Sequence, residues 1–507
     1  MSERPSLWLP VTLTLTSAAS MALEIVAGRA LAPYVGMSLY SWTMIIAVVL
    51  AGLSLGHWLG GWLADRSSAP RAWVAWGLAG AAIATALSLP ALRWVEPFAL
   101  GSGPVGHVGS LALAAFFLPS ALAGLLSPLL TKMALDASPA GRHGRVVGRM
   151  FALGAFGAIL GTLFAGLVLI SWVGTAGSVM IITLCYAGLA IVFFSGAGRV
   201  TGVLLVGIFA MLGTFGPQSF LQAASCYRES AYFCIRIDHA TFLGRDAGVM
   251  ALDHLAHGVN DAADPKLLLT PYVHGVDEIL RLRSGNVPPR AFFIGGGAYS
   301  LPRAWAARWP EAKLLVAEID PLVTRTARNE LWLPDASNLD IVHRDARTAL
   351  HKLPPEVTFD VIFGDAFHDI SVPQHLVTDE FHAHLAARLR PRGAYAMNVV
   401  DKQRSPRFVL SLAQTLRRQF AYVELWLDLE AIQPGEARTT WIVIASDRAT
   451  PSGEVRSSYG FERRWVQVPL DAMIAEVGAD QLVSLTDDYA PVDRLLGDLL
   501  LSNALTE

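Results

Sequence analysis

Seven apolar stretches of about 20 residues in the first two fifths of the chain constrain its fold more than any other feature. They lie at Leu7–Ala27, Ser41–Leu63, Trp73–Leu92, His107–Leu130, Val146–Ile170, Gly177–Phe194 and Val200–Phe215. Stretches of this length and polarity are typical of membrane-spanning helices. Only 16% of the 507 residues are charged, and most of these follow Phe215. The sequence therefore predicts an all-α polytopic membrane domain at residues 1–217.

Two features of the predicted helices bear on how they pack. Small residues recur at helical spacing, as in Gly52-Leu53-Ser54-Leu55-Gly56 and from Gly154 to Gly161, which favours close helix contact in lipid. Glu24 lies inside the first span, where an acid is costly to bury, and Arg29 follows five residues later. We expect these two residues to pair, either as a structural ion pair or as part of a transport path.

Basic residues beside the short loops indicate the orientation of the membrane domain. They are Arg66, Arg71, Lys132, Arg142, Arg145, Arg149 and Arg199. The positive-inside rule places these loops and the N-terminus in the cytoplasm. Seven spans would then leave the C-terminal domain outside, whereas one span fewer, or a re-entrant Ala30–Tyr40, would place it in the cytoplasm. Because we expect a nucleotide ligand, we predict a cytoplasmic catalytic domain.

Strands and helices alternate in the second half of the chain. Apolar runs at Tyr232–Asp238 and Gly248–Asp253, with a lead-in helix Pro271–Arg281, predict a small β-rich module at residues 218–285. Five strand-like runs separated by helical segments follow at Ala291–Ile294, Leu314–Ala317, Leu339–Val342, Phe359–Phe363 and Ala394–Val399. This alternation predicts an α/β Rossmann-like domain at residues 286–507, with a parallel sheet between helices.

Glycines and acids fall at the ends of the predicted strands. Gly295–Gly297 follow the first strand and Glu318 follows the second. Glycines let the backbone approach a nucleotide, and an acid at the tip of the next strand accepts hydrogen bonds from ribose hydroxyls. Asp345 and Asp365 follow the third and fourth strands. Since ligands of such sheets bind at the carboxyl ends of strands, these residues are predicted to share one site.

Several motifs carry a resemblance to a known family. They are Ile294-Gly295-Gly296-Gly297, Ala317-Glu318-Ile319-Asp320-Pro321, Arg344-Asp345-Ala346-Arg347 and Gly364-Asp365-Ala366-Phe367. This set resembles the spermidine synthases, which have the S-adenosylmethionine methyltransferase type of fold. Further motifs are similar to the bacterial subgroup that is fused to membrane helices: Glu24-Ile25-Val26-Ala27-Gly28-Arg29, Gly60-Gly61-Trp62-Leu63-Ala64-Asp65-Arg66 and Thr486-Asp487-Asp488-Tyr489-Ala490-Pro491-Val492-Asp493. The resemblance thus covers nearly the whole chain.

The resemblance implies a donor-binding role for one set of residues. Gly295, Gly296 and Gly297 form the loop beside the donor, and Glu318 binds the ribose hydroxyls of decarboxylated S-adenosylmethionine or methylthioadenosine. Asp345 and Ala346 contact the adenine amino group. Asp253 falls in the family's Leu-Asp-Gly motif, here Leu252-Asp253-His254, and His257 stands where the family has a glutamine.

The resemblance also implies a catalytic group. Asp365 accepts a proton from the attacking amine, and Tyr272 lies where the family has an active-site tyrosine. His368 replaces the second acid of the family's Asp-Ser-Ser-Asp motif, and Asp369 beside it is a candidate helper.

Some departures from the family pattern concern the substrates. Ala298 stands where the family has an aspartate that holds the donor's aminopropyl ammonium, and His257 replaces a glutamine. Adenosine binding is therefore expected, whereas the donor tail and the acceptor amine stay open. The donor is either S-adenosylmethionine or its decarboxylated form.

The function that these residues predict is a membrane-anchored transferase. It would move an aminopropyl or aminocarboxypropyl group to an amine or polyamine acceptor and release methylthioadenosine. One alternative is a methyltransferase or lyase that uses S-adenosylmethionine, and another is a transporter or sensor that binds an adenosine ligand. The resemblance implies a multi-pass protein of the bacterial inner membrane, with the lipid bilayer and a small amine as partners and a homodimer left open.

Composition and cysteine spacing exclude some other functions. The net charge of −3 and the lack of a basic tract give no reason to expect nucleic-acid binding. Cys185, Cys226 and Cys234 form no metal-binding pattern, so we predict no metal. Cys226 and Cys234 could pair only if the segment between them turned back, and we expect both to be free thiols.

Overall fold

The computed structural model describes residues 7–99, 104–139, 141–195, 199–200, 202, 204, 208, 226–242, 244–367, 370–431, 438–497 and 499. They form two compact units, a helical unit up to Cys234 and an α/β unit from Ile235 onwards. The helices of the first unit are α1 (Trp8–Val35), α2 (Leu39–Arg66), α3 (Pro70–Ala99), α4 (Pro104–Ala112), α5 (Leu118–Asp136), α6 (His143–Phe164) and α7 (Ile170–Phe193).

Five helical segments within the described residues are long and apolar enough to cross a membrane. They are Trp8–Val35, Leu39–Arg66, Pro70–Ala99, Val105–Asp136 and His143–Phe193. Six of the predicted spans fall inside these segments. The fifth segment holds two of them and is interrupted at Gly174, whose φ of 72° is not helical. The last predicted span, Val200–Phe215, lies almost entirely outside the described residues.

Glycines bring pairs of helices into close contact, as the sequence predicts. A Cβ added at Gly52 would lie 2.6 Å from the carbonyl oxygen of Phe117, and one at Gly56 would overlap the carbonyl of Ala121. Gly157 and Gly161 of α6 face the backbone of α1 in the same way. These contacts show that α2 runs alongside α5 and α6 alongside α1, with no space for a larger side chain.

Arg29 does not pair with Glu24, contrary to our expectation. Residues five apart on a helix point in different directions, so the two side chains diverge. Arg29 instead donates to the carbonyl oxygen of Tyr232 at 2.6 Å, and its guanidinium lies 3.8 Å from Glu229. The Oε2 atom of Glu24 is buried with no hydrogen-bond partner among the described residues.

The expectation of two free thiols was also wrong, because Cys226 and Cys234 form a disulfide. The segment between them turns back at Ser230, whose amide donates to the carbonyl of Phe233 at 2.9 Å. This turn brings the two Cα atoms to 5.5 Å, which is within the usual range for a disulfide. Cys185 in α7 is free.

The α/β unit begins with a small antiparallel meander. Its strands are β2 (Cys234–Phe242), β3 (Arg245–Leu252) and β4 (Leu255–Asp261), preceded in the chain by the two-residue β1 (Arg228–Glu229). Asp253 and His254 form the tight turn between β3 and β4, where Leu252 pairs with Leu255. Among its described residues, the predicted β-rich module at 218–285 therefore has two strands more than the sequence patterns indicate.

A larger sheet forms the centre of the α/β unit. Its nine strands in the described residues are β5 (Arg290–Ile294), β6 (Lys313–Glu318), β7 (Leu339–His343), β8 (Phe359–Gly364), β9 (Leu389–Lys402), β10 (Tyr422–Asp428), β11 (Arg438–Ser446), β12 (Glu454–Arg456) and β13 (Arg464–Val468). They are ordered β12-β13-β10-β11-β9-β8-β5-β6-β7. β5 to β9 are parallel, and the strands from β10 onward pair antiparallel. All five predicted strands are present, in a sheet that is mixed rather than fully parallel.

The α/β unit has eight helices among the described residues. They are α8 (Pro271–Ser284), α9 (Ser300–Arg308), α10 (Pro321–Glu330), α11 (Ala346–Lys352), α12 (Asp379–Ala386), α13 (Arg407–Leu416), α14 (Leu470–Val477) and α15 (Val492–Leu495). Phe292 and Phe293 on the central strand β5 are both fully buried, one on each face. Because both faces of β5 are covered, its carboxyl end is where a ligand can approach.

Candidate active site

The loop after β5 is built from glycines because its backbone is both tightly curved and crowded. Gly295 has a φ of 91° and Gly297 a φ of 49°, in the left-handed region that suits glycine. A Cβ added at Gly295 would lie 2.7 Å from the carbonyl oxygen of Asp365. The loop therefore lies directly against the end of β8, with its backbone open to a ligand.

Glu318, at the end of β6, lies beside this loop. Its Oε2 accepts a hydrogen bond from the amide of Gly296 at 2.7 Å, and its Oε1 accepts one from the amide of Asp320 at 2.8 Å. The side chain is buried, and burial raises the pKa of its carboxyl. A carboxylate has about four acceptor positions, so this one can hold the loop and still accept hydrogen bonds from a diol.

Asp365 follows β8 and is held by two neutral donors. The Tyr272 hydroxyl donates to its Oδ2 at 3.1 Å, and Nδ2 of Asn398 donates to its Oδ1 at 2.9 Å. Burial raises the pKa of Asp365 to about 6, although both hydrogen bonds act to lower it. A carboxyl with this pKa can both accept and release a proton near neutral pH.

Asn398 is a site residue that the sequence patterns do not reveal. It lies on β9, where Met397 is in register with Gly364 of β8, so its side chain is next to Asp365. Its Oδ1 is buried and has no hydrogen-bond partner among the described residues. A polar residue inside the apolar run Ala394–Val399, one strand away from Asp365, is the signal that could have indicated it.

Asp345 has a different environment. Its Oδ1 accepts from the amide of Thr348 at 2.8 Å and so caps α11, while its Oδ2 lies 2.7 Å from Nε2 of His375. The hydrogen bond with His375 and then the Thr348 amide lower the pKa of Asp345 to about 2. Ala346 is buried at the start of the same helix. Both residues lie one strand beyond Glu318, where the sequence predicts contact with adenine.

His257 of the meander lies on the other side of the glycine loop. A Cβ added at Gly297 would be 3.9 Å from the Cβ of His257. Burial and the positive charge of Arg438 lower the pKa of both His254 and His257 to about 4, so both rings are neutral at pH 7. Asp253 has a positive φ of 54° in the turn before them, and its predicted role in donor binding stays a prediction.

The structure thus brings together most of the predicted site. Gly295, Gly296, Gly297, Glu318, Asp365 and Tyr272 are joined by direct contacts, and His257 adjoins the loop. Asp345 and Ala346 lie at the same edge of the sheet without a direct contact to that group. His368 and Asp369 lie outside the described residues, so their predicted roles stay predictions.

The strand order defines the class of the α/β unit. Counting from β5 to β11, the seven core strands among the described residues have the order 3-2-1-4-5-7-6, with the seventh antiparallel to its neighbours. This is the Rossmann-like fold of the S-adenosylmethionine methyltransferase type, as the sequence predicts. The glycine loop after the first strand and the acid after the second are at the nucleotide-binding positions of such folds.

Comparisons with known proteins agree with the expected resemblance. A polyamine aminopropyltransferase of Vibrio vulnificus is 31% identical over 112 residues. The match covers 22% of this chain and 38% of that protein, so well under half of the relative's length is matched. The resemblance to polyamine aminopropyltransferases is thereby confirmed for this part of the chain. No protein-family model matches the sequence.

Solved structures with partial similarity include two spermidine synthases. A probable spermidine synthase from Corynebacterium glutamicum is 21% identical, with a TM-score of 0.44, and the match covers 51% of this chain and 95% of that one. The spermidine synthase from Thermotoga maritima is also 21% identical, with a TM-score of 0.32 and coverages of 42% and 70%. The fold assignment given above follows from the strand order and does not depend on these scores.

Proposed function

We propose that the chain is a membrane-anchored alkyl transferase that moves an aminopropyl or aminocarboxypropyl group from a sulfonium nucleoside to an amine. The observation that supports this most directly is the environment of Asp365. Its carboxyl has a pKa of about 6, and its backbone lies against the glycine loop, which Glu318 also contacts. The five apolar helical segments support membrane anchoring.

The reaction requires the protein mainly to position the acceptor amine beside the donor and to remove a proton from it. The amine nitrogen attacks the carbon next to the sulfonium, a C–N bond forms, and the C–S bond breaks. The sulfur leaves with the bonding electron pair as a neutral thioether, methylthioadenosine. An alkylammonium has a pKa of roughly 10, so the acceptor must lose a proton before its nitrogen can attack.

Asp365 is the group that we expect to receive this proton. Its raised pKa reduces the mismatch with the ammonium, and each unit of pKa is a factor of ten in the proton-transfer equilibrium. The neighbouring Oδ1 of Asn398 is a buried acceptor that a substrate ammonium would satisfy. The ring of Tyr272 adjoins the same carboxylate and offers a face to a cation.

The surroundings of the donor tail favour the intact donor over the decarboxylated one. Ala298 packs against β4, where a Cβ added at Gly258 would lie 2.7 Å from the Cβ of Ala298. With alanine at position 298, the tail ammonium, which both donors carry, loses its usual partner. The positive charge of Arg438 acts on His254 and His257 beside the loop, which suits a carboxylate. We therefore infer that the transferred group is aminocarboxypropyl.

Product analysis on the full-length protein tests this proposal. The detergent-purified chain is incubated with a diamine and either donor, and the nucleosides and amines are identified by mass spectrometry. We expect methylthioadenosine and alkylated amine in equal amounts, formed faster from S-adenosylmethionine. The Arg438→Gln variant should reduce the preference for the intact donor by roughly tenfold, since a hydrogen bond to a charged group contributes about 1.5–3 kcal/mol.

Other product patterns would support the other candidate functions. Adenosylhomocysteine would indicate a methyltransferase, which the fold also permits. Methylthioadenosine without alkylated amine would indicate a lyase. If the donor is bound but returned unaltered, the α/β unit is a binding domain of a transporter or sensor.

A further inference from the structure

The helices of the first unit separate its charged residues onto two ends. The basic end, as we name it, consists of the start of α1, the α2–α3 and α5–α6 connections and the last turn of α7. Arg71 donates to the carbonyls of Val192 and Phe193. Leu7, Leu9 and Pro10 line a cavity together with Arg142, Arg145 and Arg149. This end carries Arg66, Arg71, Lys132, Arg142, Arg145, Arg149 and Arg199.

The opposite end, which we name the disulfide end, is built around Arg29. In a helix, Arg29 lies roughly 30 Å from Trp8 at the start of α1, which is about the thickness of a bilayer's hydrocarbon core. Arg29 binds the carbonyl of Tyr232, in the hairpin that the Cys226–Cys234 disulfide closes. Glu229 of this hairpin accepts hydrogen bonds from the amide and hydroxyl of Thr175, next to the break in the helix at Gly174.

Two independent observations orient these ends in the same way. Disulfides form and persist in oxidising compartments and are rare in the cytosol. The positive-inside rule places the basic end in the cytoplasm, and that end is the one without the disulfide. Arg29, Arg93 and Arg228 are basic residues near the disulfide end, where Arg29 adjoins Glu229 and Arg93 adjoins Tyr34.

We propose that the disulfide end and the α/β unit both lie on the extracytoplasmic side of the membrane. The α/β unit begins at Ile235, the residue after Cys234, so no membrane crossing separates it from the disulfide. Each of the described helices that could span a membrane ends before this point. This location differs from the cytoplasmic one that we expected from the nucleotide ligand. It agrees with the seven predicted spans, because an odd number of spans puts the two ends of the membrane domain on opposite sides.

The location has a consequence that rests on the proposed function. A sulfonium nucleoside carries charge and does not cross a bilayer unaided, so a transport step must deliver the donor to the extracytoplasmic face before transfer. The amine acceptor and the methylthioadenosine product belong to the same compartment. The sidedness can be measured without any assay of activity, so its failure is distinct from failure of the transferase proposal.

Labelling of one introduced cysteine at a time, in spheroplasts, tests the sidedness of the full-length chain. In a Cys185→Ser background, Glu311→Cys introduces an exposed thiol in the α/β unit, and Ser68→Cys introduces one at the basic end. A membrane-impermeant maleimide should label Glu311→Cys before lysis at least tenfold more than Ser68→Cys, and both equally after lysis. Labelling of Ser68→Cys before lysis, or of Glu311→Cys only after lysis, would overturn the proposal.

The native disulfide gives a second measurement that needs no introduced thiol. In the Cys185→Ser protein, trapped in intact cells with an alkylating reagent, Cys226 and Cys234 should react only after a reductant is added. If both react without the reductant, the hairpin is in a reducing compartment and the proposal is refuted.

Discussion

The surroundings of Asp365 and of Asp345 differ sharply, although both acids follow parallel strands of one sheet. Asp365 accepts hydrogen bonds from the neutral groups of Tyr272 and Asn398, and burial raises its pKa to about 6. Asp345 caps a helix beside His375, and its pKa falls to about 2. The first acid can exchange a proton near pH 7, whereas the second stays ionised.

The difference shows that the position of an acid at the end of a strand predicts where the acid lies but not which chemical role it has. Position alone predicts that all the acids at this edge face a ligand. The role of each acid depends on whether burial or hydrogen bonding to its ionised form has the larger effect on its pKa. Substitutions at the two acids separate their roles by experiment.

The largest expected effect is that of Asp365→Asn. Loss of a general base lowers kcat by roughly 10²–10⁴-fold, while donor binding should change little because Glu318 and the glycine loop remain. Turnover by mass spectrometry and binding of methylthioadenosine by calorimetry measure the two quantities. Asp335→Asn, at an acid whose side chain is 93% exposed, is the matched control and should behave as the wild type. Unchanged turnover in Asp365→Asn would remove this residue as the base.

A smaller effect is expected for Glu318→Gln, which tests donor binding rather than proton transfer. Hydrogen bonds to a charged group contribute about 1.5–3 kcal/mol, so the affinity for methylthioadenosine should fall roughly 10- to 100-fold. Calorimetry on the detergent-purified protein gives the dissociation constant. Asp345→Asn provides the comparison at the position that is predicted to contact adenine. If Glu318→Gln binds as tightly as the wild type, this carboxylate does not hold the ribose.

Much of this comparison could be predicted from the sequence, for local reasons. The five parallel strands are apolar runs flanked by glycines and acids, and each is present where the pattern indicates it. The antiparallel strands β10 to β13 were not predicted, since their pairing depends on partners far away in the chain. For example, Trp441 on β11 lies opposite Val399 on β9.

The same limit applies to the site itself. Glu318 and Asp365 belong to recognisable motifs, but their partners do not. His375 lies 30 residues after Asp345, and Asn398 lies 33 residues after Asp365. The Cys226–Cys234 disulfide depends on a turn around Ser230 that no spacing rule predicts. Contacts of this kind follow from the tertiary fold, so sequence reasoning predicts the acids but not the environment that sets their pKa values.

The pH dependence of turnover gives a further test of the difference between Asp365 and Asp345. Asp365 must be ionised to accept a proton, so kcat/KM should rise with pH through about 6 and then level off. Asn398→Ala removes a donor that stabilises the carboxylate, so the rising limb should move to higher pH, with a loss of less than about tenfold once Asp365 is ionised. Asp345→Asn should leave the limb where it is. A limb that does not move in Asn398→Ala would show that Asp365 is not the titrating group.

The smallest expected effect is on stability, at Asp345. Asp345→Ala removes the cap of α11 and should lower the free energy of unfolding of the α/β unit by about 1 kcal/mol. His375→Ala leaves the cap in place and should cost less, because partly exposed ion pairs contribute about 0–1 kcal/mol. Since the pKa of Asp345 is lowered from 3.8 to about 2, its contribution is complete above about pH 4 and is lost as the pH falls towards 2. Thermal unfolding of both variants between pH 3 and pH 7 measures this, and equal losses at every pH would mean that Asp345 does not stabilise the fold through its charge.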